Sequence, residues 1–116
     1  HVGNRSFEDG LVEKALTCYQ RGIDAALART IGDPERYPAP FWLDVDSRPF
    51  MRATHGKGLC LWRLERVQEA RAIFEDMLRW NPNDNQGARF LLHDLDEGLS
   101  WEESMARDEE QEGGMA

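Results

Sequence analysis

Residues 58–82 read GLCLWRLERVQEARAIFEDMLRWNP, and this stretch decides the fold. Val67, Ala70, Ile73, Phe74, Met77 and Leu78 recur at helical spacing, so a helix from Arg66 to Trp80 carries its apolar side chains on one face. Asn81-Pro82 closes it, because proline biases the residue before it away from helix. Gly58 lies twelve residues ahead of Ala70, where a preceding helix needs a small residue to let its partner approach. Ser104, another small residue, follows Ala70 by 34 residues, and Ala15-x3-Tyr19 repeats the spacing of Ala70-x3-Phe74. A period of this length marks stacked helix hairpins.

Working outward, Val12, Ala15, Leu16, Tyr19, Ile23, Ala26 and Leu27 predict a long amphipathic helix from about Leu11 to Thr30, closed by Gly32 and Pro34. Gly10 is expected to make a tight turn before it, with Val2 to Phe7 as the end of an earlier helix. Ala15 and Ala70 stand 55 residues apart, one 34-residue period plus an insertion of 21. Pro34, Pro38 and Pro40, beside Tyr37, Phe41 and Trp42, mark that insertion as a loop. Asp46 or Ser47 can cap the next helix, which runs to about Leu64, and Asn83-Asp84 the one after. Trp101 opens a short last helix. The organisation is therefore a first repeat over 1–30 with a partial first helix, a Pro-rich insertion over 31–47, a second repeat over 48–82, a partial third over 83–106, and an acidic tail over 107–116.

The pattern resembles the tetratricopeptide repeat family. Gly58 matches that family's small residue in the first helix, Ala70 its second-helix alanine, Phe74 its aromatic and Pro82 the proline leading to the next repeat. Lys57, Thr54 and Met77 depart from residues usual at their positions, and Leu92 replaces the small residue in the third repeat. Segments 47–53 and 81–89 also look like a bacterial subgroup not associated with an enzymatic activity. The resemblance implies an all-α fold, with helix-turn-helix repeats stacked in a right-handed superhelix and the first helices lining a concave groove. Carried over by position, the groove includes Asn4, Phe7, Arg52, His55, Leu59, Trp62, Arg63, Gln86, Arg89, Phe90 and His93, with Glu8, Asp96 and Glu97 beside them. Such a mixed aromatic and charged lining suits an extended peptide or a partner helix. The alternative for Leu59, Trp62 and Phe90 is packing between neighbouring helices. Family members that clamp a C-terminal carboxylate use Asn and basic residues at set positions. Asn4 matches one, but Gly56 and Phe90 occupy two others, which disfavours a carboxylate-clamp co-chaperone. The aromatics of the insertion would fold over the groove, bridge to another copy, or cover the long helix.

Composition points the same way. The 116 residues, enough for one domain, hold 14 Lys plus Arg against 22 Asp plus Glu, a formal charge of -8, which repels phosphate backbones and disfavours nucleic acid. No apolar run is long enough to cross a bilayer. Cys18 and Cys60 stand alone in helical patterns and read as reduced thiols, as expected of a cytoplasmic protein. The chain opens with His1 inside a repeat, as expected of part of a longer array.

Chemistry finds no foothold. His55, Cys60 and His93 are too sparse for a zinc site, and there is no HExxH or CxxC. Asn81-x-Asn83-x-Asn85 hints at a calcium loop, but Gly87 falls one place late and Leu92 stands where the loop needs Glu. Asp44 with Asp46, or Asp94 with Asp96, are two apart and on a helix do not face each other. The reading is a non-catalytic protein-interaction scaffold without cofactor, binding a protein or peptide. The alternatives are a homodimerisation module or a regulatory domain of a larger protein.

Overall fold

The computed structural model describes residues 2–37 and 45–107, with side chains from residue 8 onward. Among them every regular element is a helix. Helix α1 spans Val2–Ala26 and continues as one wider π turn, Leu27–Ile31. After a 3₁₀ turn at Pro34–Arg36 and another at Val45–Ser47 come α2 (Arg48–Arg63), α3 (Val67–Trp80) and α4 (Ala88–Asp96). A last helix, α5, occupies residues 101–107. Helices pack chiefly on their neighbours in sequence: α1 on α2, α2 on α3, α3 on α4.

The turn expected at Gly10 is absent. Helix α1 runs straight through it, so residues 2–26 form one long helix rather than the end of one helix followed by another. An isolated glycine costs a helix interior only about 1 kcal/mol, and Val12 and Ile23 are buried further along the same helix. Beyond Ala26 the expectation holds: Gly32, at φ +69°, ends the π turn and donates its N–H to the Leu27 carbonyl at 2.9 Å.

Two hairpins, α2–α3 and α4–α5, close in the same way. After α2, Glu65 N–H bonds the Trp62 carbonyl at 2.9 Å and Arg66 N–H the Leu61 carbonyl at 2.8 Å. After α4, Gly98 N–H bonds the Leu95 carbonyl at 3.0 Å and Leu99 N–H the Asp94 carbonyl at 3.1 Å. Both are Schellman caps, which satisfy the last orphan carbonyls by placing one residue in the left-handed region. Gly98 takes that conformation freely; Glu65 takes it at φ 64°. Four residues past each helix-starting cap sits a fully buried small residue, Ala70 in α3 and Ser104 in α5. Helix α4 begins later than Asn83-Asp84 suggested, with Gly87 before its first residue, but the Asp84 carboxylate reaches forward to accept from Ala88 N–H at 2.6 Å and Arg89 N–H at 3.0 Å.

The core joins Ile23 and Ile31 to Phe50, Met51, Leu61, Trp62, Ala70, Phe74 and Met77, with Ala88 and Leu95 from α4. Two glycines of α2 set the helix spacing. A Cβ on Gly58 would lie 2.5 Å from the Phe74 ring, and one on Gly56 would overlap the ring of Tyr19. Gly56, on the sequence only a misfit for a carboxylate clamp, is thus where α1 seats an aromatic on α2.

The insertion is strapped to α3. Glu35 accepts from the Arg79 guanidinium at 2.5 Å and from Trp80 Nε1 at 3.2 Å, and Arg79 also holds Asp76 at 2.8 Å. These bonds hold the Glu35 carboxyl below its ordinary range, Arg79 first and Trp80 second. Tyr37 packs onto the core. Phe41 and Trp42 lie outside the described residues.

Candidate functional site

Helices α2, α4 and α5 enclose a groove of about 750 Å³. It exists because residues four apart on a helix share a face. On α2 that stripe carries His55 and Leu59; on α4, Gln86 and Gly87 lead into Phe90, Leu91, His93 and Asp94. Met105 and Arg107 of α5 complete the wall. Phe90 stands at the mouth, 76 % exposed, above the half-buried Leu59 and Met105.

The polar walls are organised. Gln86 Nε2 donates to the Met51 carbonyl at 3.1 Å, while its Oε1 is enclosed without a hydrogen-bond partner. Asp94 is buried, accepts from Ser104 Oγ and pairs with Arg107. Arg107 also reaches Glu97 at 2.9 Å, and Glu97 meets His93 Nε2 at 2.9 Å. This chain of bonds fixes α5 against α4. His55 lies edge-on to Phe74, ring centroids 6.4 Å apart.

Of the residues predicted from sequence, His55, Leu59, Gln86, Phe90 and His93 come together in this groove. Arg52 and Arg89 are exposed outside its lining, Arg89 donating to the Pro82 carbonyl at 3.0 Å. Trp62 is a correction. It is on the same stripe as His55, two turns on, but only 2 % exposed, because the turn at Gly98–Leu99 covers that end and Leu99 accepts its indole N–H at 3.1 Å. Arg63 is another: its guanidinium sits 4.3 Å over the Trp101 ring, and its stem borders Glu8, Leu11, Val12 and Ala15 of α1. The side chains of Asn4 and Phe7 lie outside the described residues. Met105 and Arg107 were not foreseen, since the helix bearing them is too short and acidic to show an apolar face in its sequence.

Burial holds His55 below the usual imidazole value of 6.5, with Asp84 opposing more weakly. The unfolded chain therefore takes up a proton before the native one does, so stability is full above about pH 6.5 and falls as pH drops below it. The Glu35, Glu69 and Glu103 carboxyls, each held below 4.5 by its hydrogen-bond partners, enter this balance only at lower pH. Thermal melts from pH 7.5 down to about pH 5.5 should show Tm declining, and His55→Gln should flatten that decline. An unchanged slope in the variant would mean that another group controls it.

Among the described residues no cluster of His, Cys, Asp or Glu has the geometry of a metal site. None of their helices is long and apolar enough to cross a membrane.

The fold and groove define an all-helical chain of sequentially packed hairpins. The chain is 27 % identical over 115 residues to the RNA polymerase II-associated protein 3 of Mus musculus. The match takes in 88 % of this chain but 17 % of that protein's length. No family model and no solved structure matches the chain significantly.

Proposed function

We propose that the chain is a non-catalytic protein-interaction module of tetratricopeptide type, with α2–α3 and α4–α5 as successive repeats of a right-handed array. Its groove between α2, α4 and α5 takes a peptide or a partner helix. The observation that carries this reading is Phe90, a large aromatic 76 % exposed over an apolar floor and rimmed by polar groups. Aromatic anchors in such surroundings dominate binding energy at interfaces. The enclosed Gln86 Oε1 adds an acceptor that a small rearrangement turns toward a partner's N–H. The murine relative carries association with another protein in its name, which fits the same class of role.

The test is selection of peptides from a displayed random library against the wild-type chain, followed by titration against Phe90→Ala. Truncating an exposed side chain should leave stability within about 0.5 kcal/mol. Affinity for groove-bound peptides should drop at least about tenfold. Selected peptides that bind the variant equally well would remove the groove from consideration.

A second reading, self-assembly, rests on α1, where Leu11 is 50 % exposed and Tyr19 lies at the surface. Light-scattering mass over a concentration series separates the two. A dimer that persists in Phe90→Ala but is lost in Leu11→Lys would favour the second.

A further inference from the structure

The side of α2 turned away from the first groove carries another. Lys57 and Leu61 each follow a groove residue, His55 and Leu59, by two positions, a rotation of about 200° around the helix. They form the floor of a depression of about 540 Å³ whose walls are α1 and α3. Leu16, Leu61 and Ile73 make it apolar; Arg21, Lys57 and Arg66 make it basic.

That basic lining is out of keeping with a chain of net charge -8. Glu69 is the one acid in the lining, and it is committed to Arg66, which donates to it from Nε and, at 2.9 Å, from a terminal nitrogen. Glu13 of α1 also faces Arg66, and Glu69 acts on Lys57 through its field without forming an ion pair with it. Asp24, nearest in sequence to Arg21, is held by Gln20 Nε2 at 2.9 Å. Neither Arg21 nor Lys57 makes an ion pair among the described residues. The close approach of Tyr19 to Gly56 and of Ala53 to Gly22 shows α1 antiparallel to α2, which sets Arg21 and Lys57 about one turn apart on the same rim.

We propose that this second groove docks an acidic amphipathic helix of another protein, with its apolar stripe on Leu16 and Ile73, above the buried Leu61, and its carboxylates at the Arg21–Lys57 end. Two cations left outside the ion pairs of the described residues, beside an apolar floor, complement the two faces of such a helix. The chain then presents two binding faces back to back, one on either side of α2, and engages two partners at once. This face shares no residue with the α2–α4–α5 groove, so either assignment stands without the other.

The probe is a fluorescent synthetic helix with leucines at i and i+4 flanked by glutamates, and a copy with lysine for every glutamate. The acidic probe should bind, and the basic copy should bind at least about tenfold more weakly. Arg21→Glu combined with Lys57→Glu should weaken the acidic probe at least about tenfold, while Phe90→Ala leaves it unchanged. Wild-type affinity should also fall as ionic strength rises from about 0.05 to about 0.5 M, a readout independent of how the charge-reversed variant folds. Equal binding of the two probes, salt-independent binding, or loss in Phe90→Ala would overturn the assignment. So would displacement of the acidic probe by a peptide of residues 107–116, together with tighter binding by a chain ending at Arg107, since the acidic tail would then be the occupant.

Discussion

Replacing Phe74 by alanine is expected to cost about 3–5 kcal/mol. The ring is completely buried, lies against Gly58, and meets both Trp62 and His55 edge-on at 6.4 Å. It therefore joins α3 to the face of α2 that carries the groove. A domain of this size has about 5–15 kcal/mol in total, so the variant should melt at much lower temperature or be partly unfolded at 25 °C. Urea denaturation followed by tryptophan fluorescence gives the number. A loss below about 1 kcal/mol would mean that α2 and α3 collapse into the vacated space, and that the helix spacing is not set by this ring.

The complementary change, Gly58→Val, tests the other side of the same contact. The added Cβ would stand 2.5 Å from one Phe74 ring carbon, 2.9 Å from another and 3.1 Å from an Ile73 methyl. A helix interior ordinarily gains up to about 1 kcal/mol when glycine is replaced, so a destabilised variant would have to be losing more than that to overpacking. A net loss of about 1–3 kcal/mol is expected, because the Phe74 ring is fully buried and any retreat must displace the side chains packed around it. Thermal denaturation of Gly58→Ala, Phe74→Leu and the double variant forms a cycle. Gly58→Ala should be distinctly less harmful in the Phe74→Leu background than in the wild-type chain. Strict additivity would show that the clash is relieved by backbone movement rather than held by the ring.

These residues are also the ones the sequence announces most clearly. Gly58, Ala70 and Phe74 are legible because helix approach demands a small residue opposite a large one, a requirement that leaves its mark at fixed spacing. Gly32 is readable for a similar reason, since turn geometry restricts which residues serve. The failures have equally local causes. At Gly10 a glycine that elsewhere ends helices sits inside one, and only the packing of α1 on α2 decides between the two outcomes. The family resemblance places Trp62 and Arg63 in the groove by their position on α2; what covers them is the turn of the next hairpin and the first residue of its second helix, more than thirty positions away. The basic groove went unseen because Arg21, Lys57 and Arg66 belong to three separate segments and meet only after folding.

The indole bond from Trp62 to Leu99 has a consequence for how the molecule comes apart. Where helix hairpins pack in series, cooperativity depends on the coupling between units more than on the strength of each unit. Here the coupling includes links of different kinds: the Trp62 indole to Leu99, the Arg63 cation over Trp101, the Arg71–Asp96 ion pair, and the packing of Ala88 and Leu95 into the shared core. The short α4–α5 unit would fray if left to its own stability. Tied at these points, it is expected to open together with the hairpin before it, so that amides of α4 should exchange no faster than those of α2 and the groove across both should be lost as a whole.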